Sequence, residues 1–366
     1  MPLSKLWVIA YRDLFRHRRR SVFTLMAVAL GLALLFVMNG LISGMMAESL
    51  QNSIRLRTAH LQLRAASYQE DQLGLQSKDL LADPAGLVAQ ASALSQVQAA
   101  APVLWVGGIL NTIDESAGLQ VMGIDATSPL YEPIRSGIVA GAWLAADDRD
   151  GVLIGRGLAD SLKVGAGQKV SLAIVNADGQ PDEGIFTIRG LFSTGIPGYD
   201  ESAVFMTLDK AQAFARTGAR ASAVMILLND RAETDTVAAA LRRPDVAVLT
   251  WTDLNSFFVE TMQLASSLYV LLDGIVISIV AVIIANTLLM AVFERVREMG
   301  ILSALGMKGG QIRQMFLLEG ASLGLAGVAV GAVLGLLGVS YLATTGIPLS
   351  EKTAAVAGSG FAIGTT

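Results

Sequence analysis

The stretch SVFTLMAVALGLALLFVMNGLISGMMA, residues 21–47, runs for 27 residues without a charged side chain. A helix needs about 20 mostly apolar residues to cross the hydrocarbon core of a bilayer. Basic residues precede the stretch, as they do in a secretory signal, but the apolar part of a signal is only about 7 to 15 residues long. The sequence therefore predicts a membrane-spanning helix over 21–46.

Two more apolar stretches lie near the end of the chain. Residues 274–293 and 320–350 contain no charged side chain, and the apolar character of the first extends back to Leu264. Each is long enough to cross a bilayer, and we expect membrane-spanning helices over 264–293 and 314–342. These stretches explain why only 16% of the 366 residues are charged, against about 25% in a typical soluble domain.

The basic residues that flank these stretches predict the orientation of the chain. Six lysines and arginines lie in residues 1–20 and four in residues 294–313. Short flanks rich in lysine and arginine stay in the cytoplasm, so residues 47–262 are expected outside it. That region carries a net charge of −9 and the rest of the chain +5, which together give −4. The cytoplasmic side is thus basic and suited to anionic membrane lipids, and we expect no nucleic-acid partner.

Residues 47–262 have the mixed pattern of an α+β domain. Strands are predicted at 60–64, 103–110, 152–154, 169–174, 187–191, 223–228 and 246–250, and helices at 85–94, 158–162, 210–216 and 233–241. The fold class expected is an α-helical membrane protein with a large α+β extracytoplasmic domain between its first and second membrane helices.

The same region offers few residues for catalysis or metal binding. The chain has no cysteine, and His60 is expected at the surface of a strand. Asp147, Asp148 and Asp150 are interrupted by Arg149 and lack the spacing of a calcium loop, so they indicate a solvated turn. Nothing matches the phosphate-binding pattern G-x-x-x-x-G-K-[ST]. We expect no catalytic, cofactor-binding or metal site, and hence no enzyme.

One loop of this region could contact a partner. Residues 195–201, GIPGYDE, combine turn-forming glycine and proline with an aromatic side chain that we expect to be exposed. Pro197 and Tyr199 are therefore candidates for an outer partner contact. The alternative is an ordinary turn between two strands.

The third apolar stretch has a stripe of glycines spaced three or four residues apart. They are Gly320, Gly324, Gly327, Gly331, Gly335 and Gly338. This spacing places them on one helical face, where small residues let another membrane helix approach closely. The stripe predicts helix packing, or an interface that slides. Of the polar residues in the second stretch, Asp273 is expected at the outer membrane interface and Asn286 in a hydrogen bond between helices.

The connection 294–312 has a charged start and an apolar middle, which predict a short helix. Glu294 and Arg297 can pair across one turn. Gly306, followed by Gly309 and Gly310, is expected to end the helix and return the chain to the membrane. The segment suits a lever on which a cytosolic partner pushes, and equally a basic cytoplasmic loop without a partner.

A resemblance to a known family favours the lever. Residues 294–306, ERVREMGILSALG, resemble the E-R-x-R-E-x-G-x-x-x-A-x-G signature of the FtsX-like permeases, a superfamily that includes the MacB and LolC/LolE transporters. Residues 10–21 resemble the family's amphipathic elbow helix, expected over 1–20, and residues 152–165 resemble part of its outer domain. The order of one span, a large outer domain and further spans is also similar.

The resemblance implies a type VII ABC permease with a MacB-like periplasmic domain over 47–262. Residues 294–312 would then hold a coupling helix on a separate ATPase, which would use ATP and Mg²⁺ while this chain binds no cofactor. Arg295, Arg297 and Glu298 would contact the ATPase, and residues 299–305 would fill its groove. The implied coupling residues are Glu294, Arg295, Arg297, Glu298, Gly300, Ala304, Leu305 and Gly306.

The implied protein is a homodimer or heterodimer with a second permease in a bacterial inner membrane, with its N-terminus in the cytoplasm. The strand at 58–65 resembles the LolC/LolE branch, so lipoprotein release, with lipoproteins and a periplasmic carrier as partners, is the function expected. Export of another amphiphile such as a drug or peptide, and signalling to an outer partner such as a cell-wall hydrolase, are the alternatives. The family has four spans, so residues 343–366 are expected to form an outer loop and the start of a fourth helix that is cut short.

Overall fold

The computed structural model describes residues 18–68, 75, 77–112 and 115–345. The elbow helix predicted before residue 18 and the fourth membrane helix predicted after residue 345 lie outside the described residues. The described chain divides into two compact units. Residues 18–44 and 260–345 form a helical unit, and residues 45–259 form a mixed unit.

The helices in chain order are α1 (Arg18–Ser53), α2 (Pro84–Ser92), α3 (Glu132–Ser136), α4 (Arg156–Leu162), α5 (Pro197–Asp200), α6 (Leu208–Phe214), α7 (Thr234–Ala240), α8 (Trp251–Leu254), α9 (Ser256–Glu294), α10 (Val296–Ala304) and α11 (Gly309–Thr345). The strands are β1 (Leu61–Ala65), β2 (Val97–Asn111), β3 (Ser116–Ile124), β4 (Ile138–Gly141), β5 (Gly151–Gly155), β6 (Lys169–Val175), β7 (Pro181–Phe192), β8 (Ala203–Thr207), β9 (Ala223–Leu228) and β10 (Val246–Thr250).

Within the described ranges, three helices are long and apolar enough to cross a membrane, judged by length and composition. α1, α9 and α11 contain 36, 39 and 37 residues, which corresponds to about 54 to 59 Å at 1.5 Å per residue. Each extends several residues beyond the range predicted from the apolar stretch. Hydropathy marks only the apolar part of such a helix, whereas backbone hydrogen bonding continues into its polar ends.

The strands of the mixed unit form a ten-stranded sheet, six strands of which close into a ring. Around the ring, β2 pairs with β3, β3 with β8, β8 with β5, β5 with β7, β7 with β6, and β6 again with β2. One buried side chain from each strand illustrates the interior, namely Leu104, Val121, Val204, Ile154, Ile188 and Leu172. Closure leaves no unpaired edge inside the ring.

The remaining strands extend the sheet beyond this ring. β1 lies between β10 and β9, and β9 joins β2. Leu61 and Leu63 of β1 pack into a core with α2 and α7. Alternating apolar and polar residues are typical of a strand with one face in solvent, but Gln62 and Arg64 on the opposite face of β1 are only 1% and 6% exposed.

Three strands have no counterpart in the sequence prediction, namely β3, β4 and β8. Glycine inside a strand usually weakens it, and β3 contains Gly118 and Gly123. Gly123 has a tertiary role, because a Cβ at this position would collide with the Cβ of Ala211 on α6. The glycine that obscured the strand in the sequence is the residue that lets the helix pack on it.

The expectation that Tyr199 is exposed is wrong. Tyr199 lies in α5, is only 4% exposed, and packs edge-on against Phe192, with Phe205 as a tilted neighbour. Its hydroxyl donates a hydrogen bond of 3.0 Å to the backbone oxygen of Leu56, and Pro197 is half-buried. The turn residues around Tyr199 predicted a loop, whereas the structure has the four-residue helix α5. They also do not show that Phe192 and Phe205, from the two flanking strands, cover the ring.

The expectation that His60 lies at the surface also needs correction. His60 is half-buried, and its Nδ1 accepts a hydrogen bond of 2.9 Å from the backbone N–H of Leu228. Burial lowers the pKa of His60, and the nearby Arg231 guanidinium lowers it further. The neutral imidazole therefore accepts the hydrogen bond of the Leu228 N–H, at the end of β9, that a backbone carbonyl of a neighbouring strand would otherwise accept.

This hydrogen bond predicts a pH dependence in the mixed unit. The folded pKa of His60 lies below its ordinary value of 6.5, so the neutral ring contributes stability that is present above pH 6.5 and lost as the pH falls towards the lowered value. Amide hydrogen exchange of Leu228, corrected for its intrinsic rate, should be severalfold faster at pH 5.5 than at pH 7.5. A His60→Asn variant keeps a hydrogen-bond acceptor that does not titrate, so exchange of Leu228 should be equally fast at the two pH values. If the variant still exchanges faster at pH 5.5, His60 is not the cause of the pH dependence.

Candidate functional site

The segment between α9 and α11 folds as the short helix α10, and glycine determines where that helix ends. Gly306 has a φ of +94°, in the left-handed region that glycine tolerates best. Its N–H donates to the oxygen of Ser303, and the N–H of Met307 donates to the oxygen of Leu302. These two bonds form a Schellman motif that satisfies the last carbonyls of the helix. Gly309 begins α11 instead of helping to end α10.

α10 has one side packed against its own chain and one side exposed. Met299 and Leu302 contact the buried Met315 and Phe316 of α11. The exposed apolar side chains are Val296, Ile301 and Leu305, with exposed fractions of 57%, 56% and 80%. Residues 299–305 therefore do not all face outwards, because a helix turns each successive side chain by about 100°.

Charged and small residues surround this exposed apolar side. Arg297, Glu298, Gly300 and Ala304 are exposed, as are Glu294 at the end of α9 and Gly306 after α10. The segment predicted to touch a partner is thus mainly accessible, and its outer side presents apolar groups between two opposite charges.

Arg295 corrects the predicted set. It is only 4% exposed, and its Nη1 lies 3.6 Å from Oε2 of Glu319 in α11. Both side chains are at least nine-tenths buried. Arg295 therefore joins the start of α10 to α11 and does not lie on the outer side of α10.

Sequence reasoning missed Glu319. It is the only acidic residue between 299 and 350, directly before an apolar stretch, where an ionisable side chain usually has a specific partner. That isolation was a usable signal, but the partner is 24 positions away in the chain and only the packing of α10 on α11 identifies it.

The glycines of α11 contact two different helices. A Cβ at Gly327, Gly331, Gly335 or Gly338 would lie 2.6 to 2.8 Å from an atom of α1, and one at Gly320 would lie 2.6 Å from Leu288 of α9. At Gly331 the obstructing atom is the backbone oxygen of Ala29, which cannot rotate away. Gly324 differs, because its Cβ would meet Ile284 at an ordinary 3.8 Å.

Polar side chains also join α1 and α9. Asn39 donates to both carboxylate oxygens of Asp273, at 3.2 and 3.4 Å, and Thr24 donates to Thr287 at 3.2 Å. Asn286 was predicted to make such a contact, but its side chain is exposed. The adjacent position makes the contact instead, because one residue along a helix rotates the side chain by about 100°.

The mixed unit offers no obvious metal centre among the residues that the structure describes, which contain no suitable cluster of three histidines or carboxylates. Asp148, in the acidic turn, accepts from the N–H of Gly151 and forms an ion pair of 2.8 Å with Arg189. The Arg189 guanidinium and backbone N–H groups hold the pKa of Asp148 below its usual value, against the opposing effect of burial.

Comparison with known proteins agrees with this architecture. The MacB-like periplasmic core domain matches residues 21–243, and the FtsX-like permease C-terminal domain matches residues 271–364. The chain belongs to the FtsX/MacB/LolC-type family of ABC transporter permeases. Permease subunits of this family are normally non-catalytic.

Several relatives of this permease are known. The lipoprotein-releasing system transmembrane protein LolC of Neisseria meningitidis is 26% identical over 247 residues, which cover 64% of this chain and 59% of that protein. LolC of Xylella fastidiosa is 22% identical over 348 residues, covering 90% of this chain and 80% of that protein. The ABC transporter permease YtrF of Bacillus subtilis is 43% identical over 75 residues, 20% of this chain and 17% of that protein.

Among solved structures, the periplasmic region of MacB from Actinobacillus actinomycetemcomitans is similar to 57% of this chain and 97% of its own, with a TM-score of 0.40 and 14% identity.

The glycine contacts of this permease predict the effect of a single methyl group. Gly331→Ala places a Cβ against the Ala29 backbone and should destabilise the helical unit by about 1 to 3 kcal/mol, the usual cost of overpacking. Gly324→Ala has room and should be neutral or slightly stabilising. Thermal unfolding of the full chain in detergent compares the two, and an equal shift in Tm for both variants would refute the assigned interface.

The buried ion pair predicts a second pattern. Glu319→Leu leaves Arg295 buried without this carboxylate and should cost about 3 to 5 kcal/mol, whereas the double variant Arg295→Met, Glu319→Leu should recover part of that loss. The measurement is the urea dependence of unfolding in detergent. The single variant Arg295→Met completes the comparison. If the loss of unfolding free energy in the double variant equals the sum of the losses in the two single variants, the pair is not energetically coupled.

Proposed function

We propose that this chain is a membrane-spanning permease subunit that couples ATP hydrolysis by a separate cytosolic ATPase to lipoprotein release at the outer face of a bacterial inner membrane. The exposed apolar side of α10 carries the proposal. Ile301 and Leu305 lie within about 40° of each other around the helix and are 56% and 80% exposed, on a short helix between two candidate membrane spans, where a partner with an apolar groove can cover them. Val296, also more than half exposed, lies about 140° from Ile301.

The energetics favour a docked partner. Full burial of one such side chain contributes about 1.5 to 3 kcal/mol, so Ile301 and Leu305, which lie on the same side of α10, can drive a specific contact together. Arg297 and Glu298 lie at the margin of this surface, where charges determine orientation and partner choice more than affinity. The basic flanks of the connection favour the cytoplasmic side for this surface.

The packing of the helical unit supports transmission of movement from α10. The Arg295–Glu319 pair and the contacts of Met299 and Leu302 with α11 join α10 firmly to that helix. The glycines of α11 bring it against both α1 and α9. A displacement of α10 by the ATPase would therefore move several spanning helices together instead of bending a loop.

The proposed assembly is a dimer with a second permease, identical or different. No described side chain of α9 is fully buried, and many of its large apolar side chains are exposed. Lipid or the helices of a second permease suit such a surface. The N-terminus lies in the cytoplasm and residues 47–262 outside it in this proposal.

The choice of cargo rests on the relatives. Two of them are named as LolC of a lipoprotein-releasing system, at 26% and 22% identity. A lipoprotein is an amphiphile anchored in the outer leaflet, and an extracytoplasmic domain connected directly to two spanning helices is well placed to act on it. A periplasmic carrier would receive the released lipoprotein.

Reversing two charges on α10 tests the coupling. Arg297→Glu combined with Glu298→Arg should uncouple ATP hydrolysis from lipoprotein release, because the orientation of the helix on its ATPase is lost while the apolar side chains remain. The measurements are ATPase activity of the co-purified complex and release of lipoprotein from proteoliposomes. Arg313→Glu, an exposed basic residue of α11 outside this surface, is the control.

Purification of the wild-type chain from native membranes, followed by mass spectrometry, tests the assembly itself. Recovery of an ATPase together with lipoproteins would support the proposal. Recovery without any ATPase would overturn it, and an ATPase together with a cell-wall hydrolase would replace lipoprotein release by signalling.

A further inference from the structure

The mixed unit contains an apolar cavity that the coupling of α10 does not use. Its volume is about 190 Å³. Residues from three parts of the chain line it: the segment 54–59 between α1 and β1, the segment 129–134 that includes the start of α3, and Met225 and Leu227 of β9. All of these residues belong to the mixed unit.

The interior of the cavity suits hydrocarbon. Ile54, Ala59 and Ile134 are buried lining residues. The two charged lining residues, Arg55 and Glu132, are exposed, so they mark the side on which the cavity opens to solvent. An apolar cavity of about 150 Å³ stays dry and accepts benzene, and by that measure this one holds about eight carbon atoms.

One wall of the cavity has an unusual backbone. Residues Ile54–Thr58 form a single turn of π-helix directly after α1, closed by a hydrogen bond of 2.8 Å from the N–H of Ala59 to the oxygen of Ile54. Ala59 has a φ of +51°, in the left-handed region that is unfavourable for alanine. Single π-turns and strained residues are frequent at functional sites, and here both lie on the wall of a cavity.

The cavity wall also contains a buried hydroxyl whose acceptor is weak. Tyr131 is 5% exposed, and its hydroxyl donates to Sδ of Met225 at 4.0 Å. A thioether sulfur is a weak acceptor, and a buried tyrosine hydroxyl usually has a stronger one. Burial raises the pKa of Tyr131, so the hydroxyl keeps its proton and remains a donor. Because Tyr131 and Met225 both line the cavity, an oxygen atom of a ligand there can replace the sulfur as the acceptor.

Packing holds Tyr131 in this position. Its ring lies edge-on to that of Phe205, with the centroids 6.3 Å apart, and both side chains belong to one buried core. Its backbone N–H donates to the oxygen of Ser128 at 3.3 Å. The hydroxyl is therefore positioned in advance, and a ligand that accepts from it does not have to order it first, which favours binding.

We propose that this cavity binds a small lipophilic molecule of about eight carbon atoms that carries one hydrogen-bond acceptor, such as an ester or ketone oxygen. The acceptor bonds to the hydroxyl of Tyr131, and the hydrocarbon part fills the space beside Ile54, Ile134 and Met225. The bound molecule packs against the segment that joins α1 to β1 and stabilises it. The inference is independent of the ATPase, of the cargo and of the membrane placement of α1.

The test uses the full chain purified in detergent and two fluorinated probes of similar size. One is the methyl ester of ω-trifluorohexanoic acid, and the other is ω-trifluorooctane, which has no oxygen acceptor. Titrations followed by fluorine NMR measure the binding of each probe, and partitioning of a probe into the micelle is the same for every variant.

Removal of the hydroxyl tests the acceptor. Tyr131→Phe keeps the ring and should weaken binding of the ester by about fivefold, the usual effect of losing one hydrogen bond, while binding of the hydrocarbon stays unchanged. Tyr199→Phe removes a similarly buried hydroxyl from a residue that does not line this cavity. This control should change the affinity for either probe less than twofold.

A blocking variant tests the cavity itself. Leu227 is half-buried on the cavity wall, so Leu227→Trp should fill the space and abolish binding of both probes. Val248→Trp is the control, because Val248 is also half-buried but does not line the cavity. If Leu227→Trp does not fold, Tyr131→Phe decides the outcome on its own.

The results separate a ligand site from an unused space. Weaker binding of the ester alone in Tyr131→Phe supports the proposal. Equal effects of Tyr131→Phe on both probes, or no effect on either, would overturn the role of the hydroxyl and leave a cavity for hydrocarbon. Binding that survives Leu227→Trp, or no binding to the wild-type chain, would overturn the site. None of these results depends on whether an ATPase or a lipoprotein co-purifies, so failure of the proposed function remains distinguishable.

Discussion

The close approach of α11 to α1 is the constraint on which the helical unit depends. In the proposed membrane setting, lipid is as apolar as the helices, so hydrophobic burial would not drive their association and close packing would have to do so. Gly331 faces the backbone oxygen of Ala29 at a distance that leaves no room for a methyl group. This contact sets the position of α11, and α11 in turn supplies Met315, Phe316 and Glu319, to which α10 is attached.

The mixed unit is stabilised by different physics. Its ring of six strands closes because β6 pairs with both β2 and β7, and the apolar side chains inside are removed from water. Beyond the ring, the polar side of β1 is buried as well, and Gln62 and the aromatic rings of Tyr68 and Trp105 hold the Arg64 guanidinium. A charged group buried in this way costs desolvation energy, which the stacking and the hydrogen bond partly offset.

Local patterns in the sequence predicted local structure well. α2, α4, α6 and α7 lie within two residues of their predicted bounds, and the bounds of β9 and β10 agree with the prediction. Apart from the strands that it missed, its errors concern tertiary contacts. Tyr199 looked like an exposed loop residue, but Phe192 and Phe205 from other strands cover it. Asn286 looked like the polar contact between helices, but the rotation of α9 assigns that contact to Thr287. Neither turn composition nor hydropathy predicts which side chains cover Tyr199 or how α9 is rotated about its axis.

The sequence by itself determined the three apolar helices, the acidic region between the first and second of them, and the short helical segment with its family signature. These features depend on composition and on the spacing of residues that are close together in the sequence. Only the tertiary structure decided which glycine faces which helix, that Arg295 turns inwards to Glu319, and that Tyr131 and Met225 line one cavity. Those outcomes depend on helix rotation and strand pairing between residues far apart in sequence, and a single chain read residue by residue does not contain them.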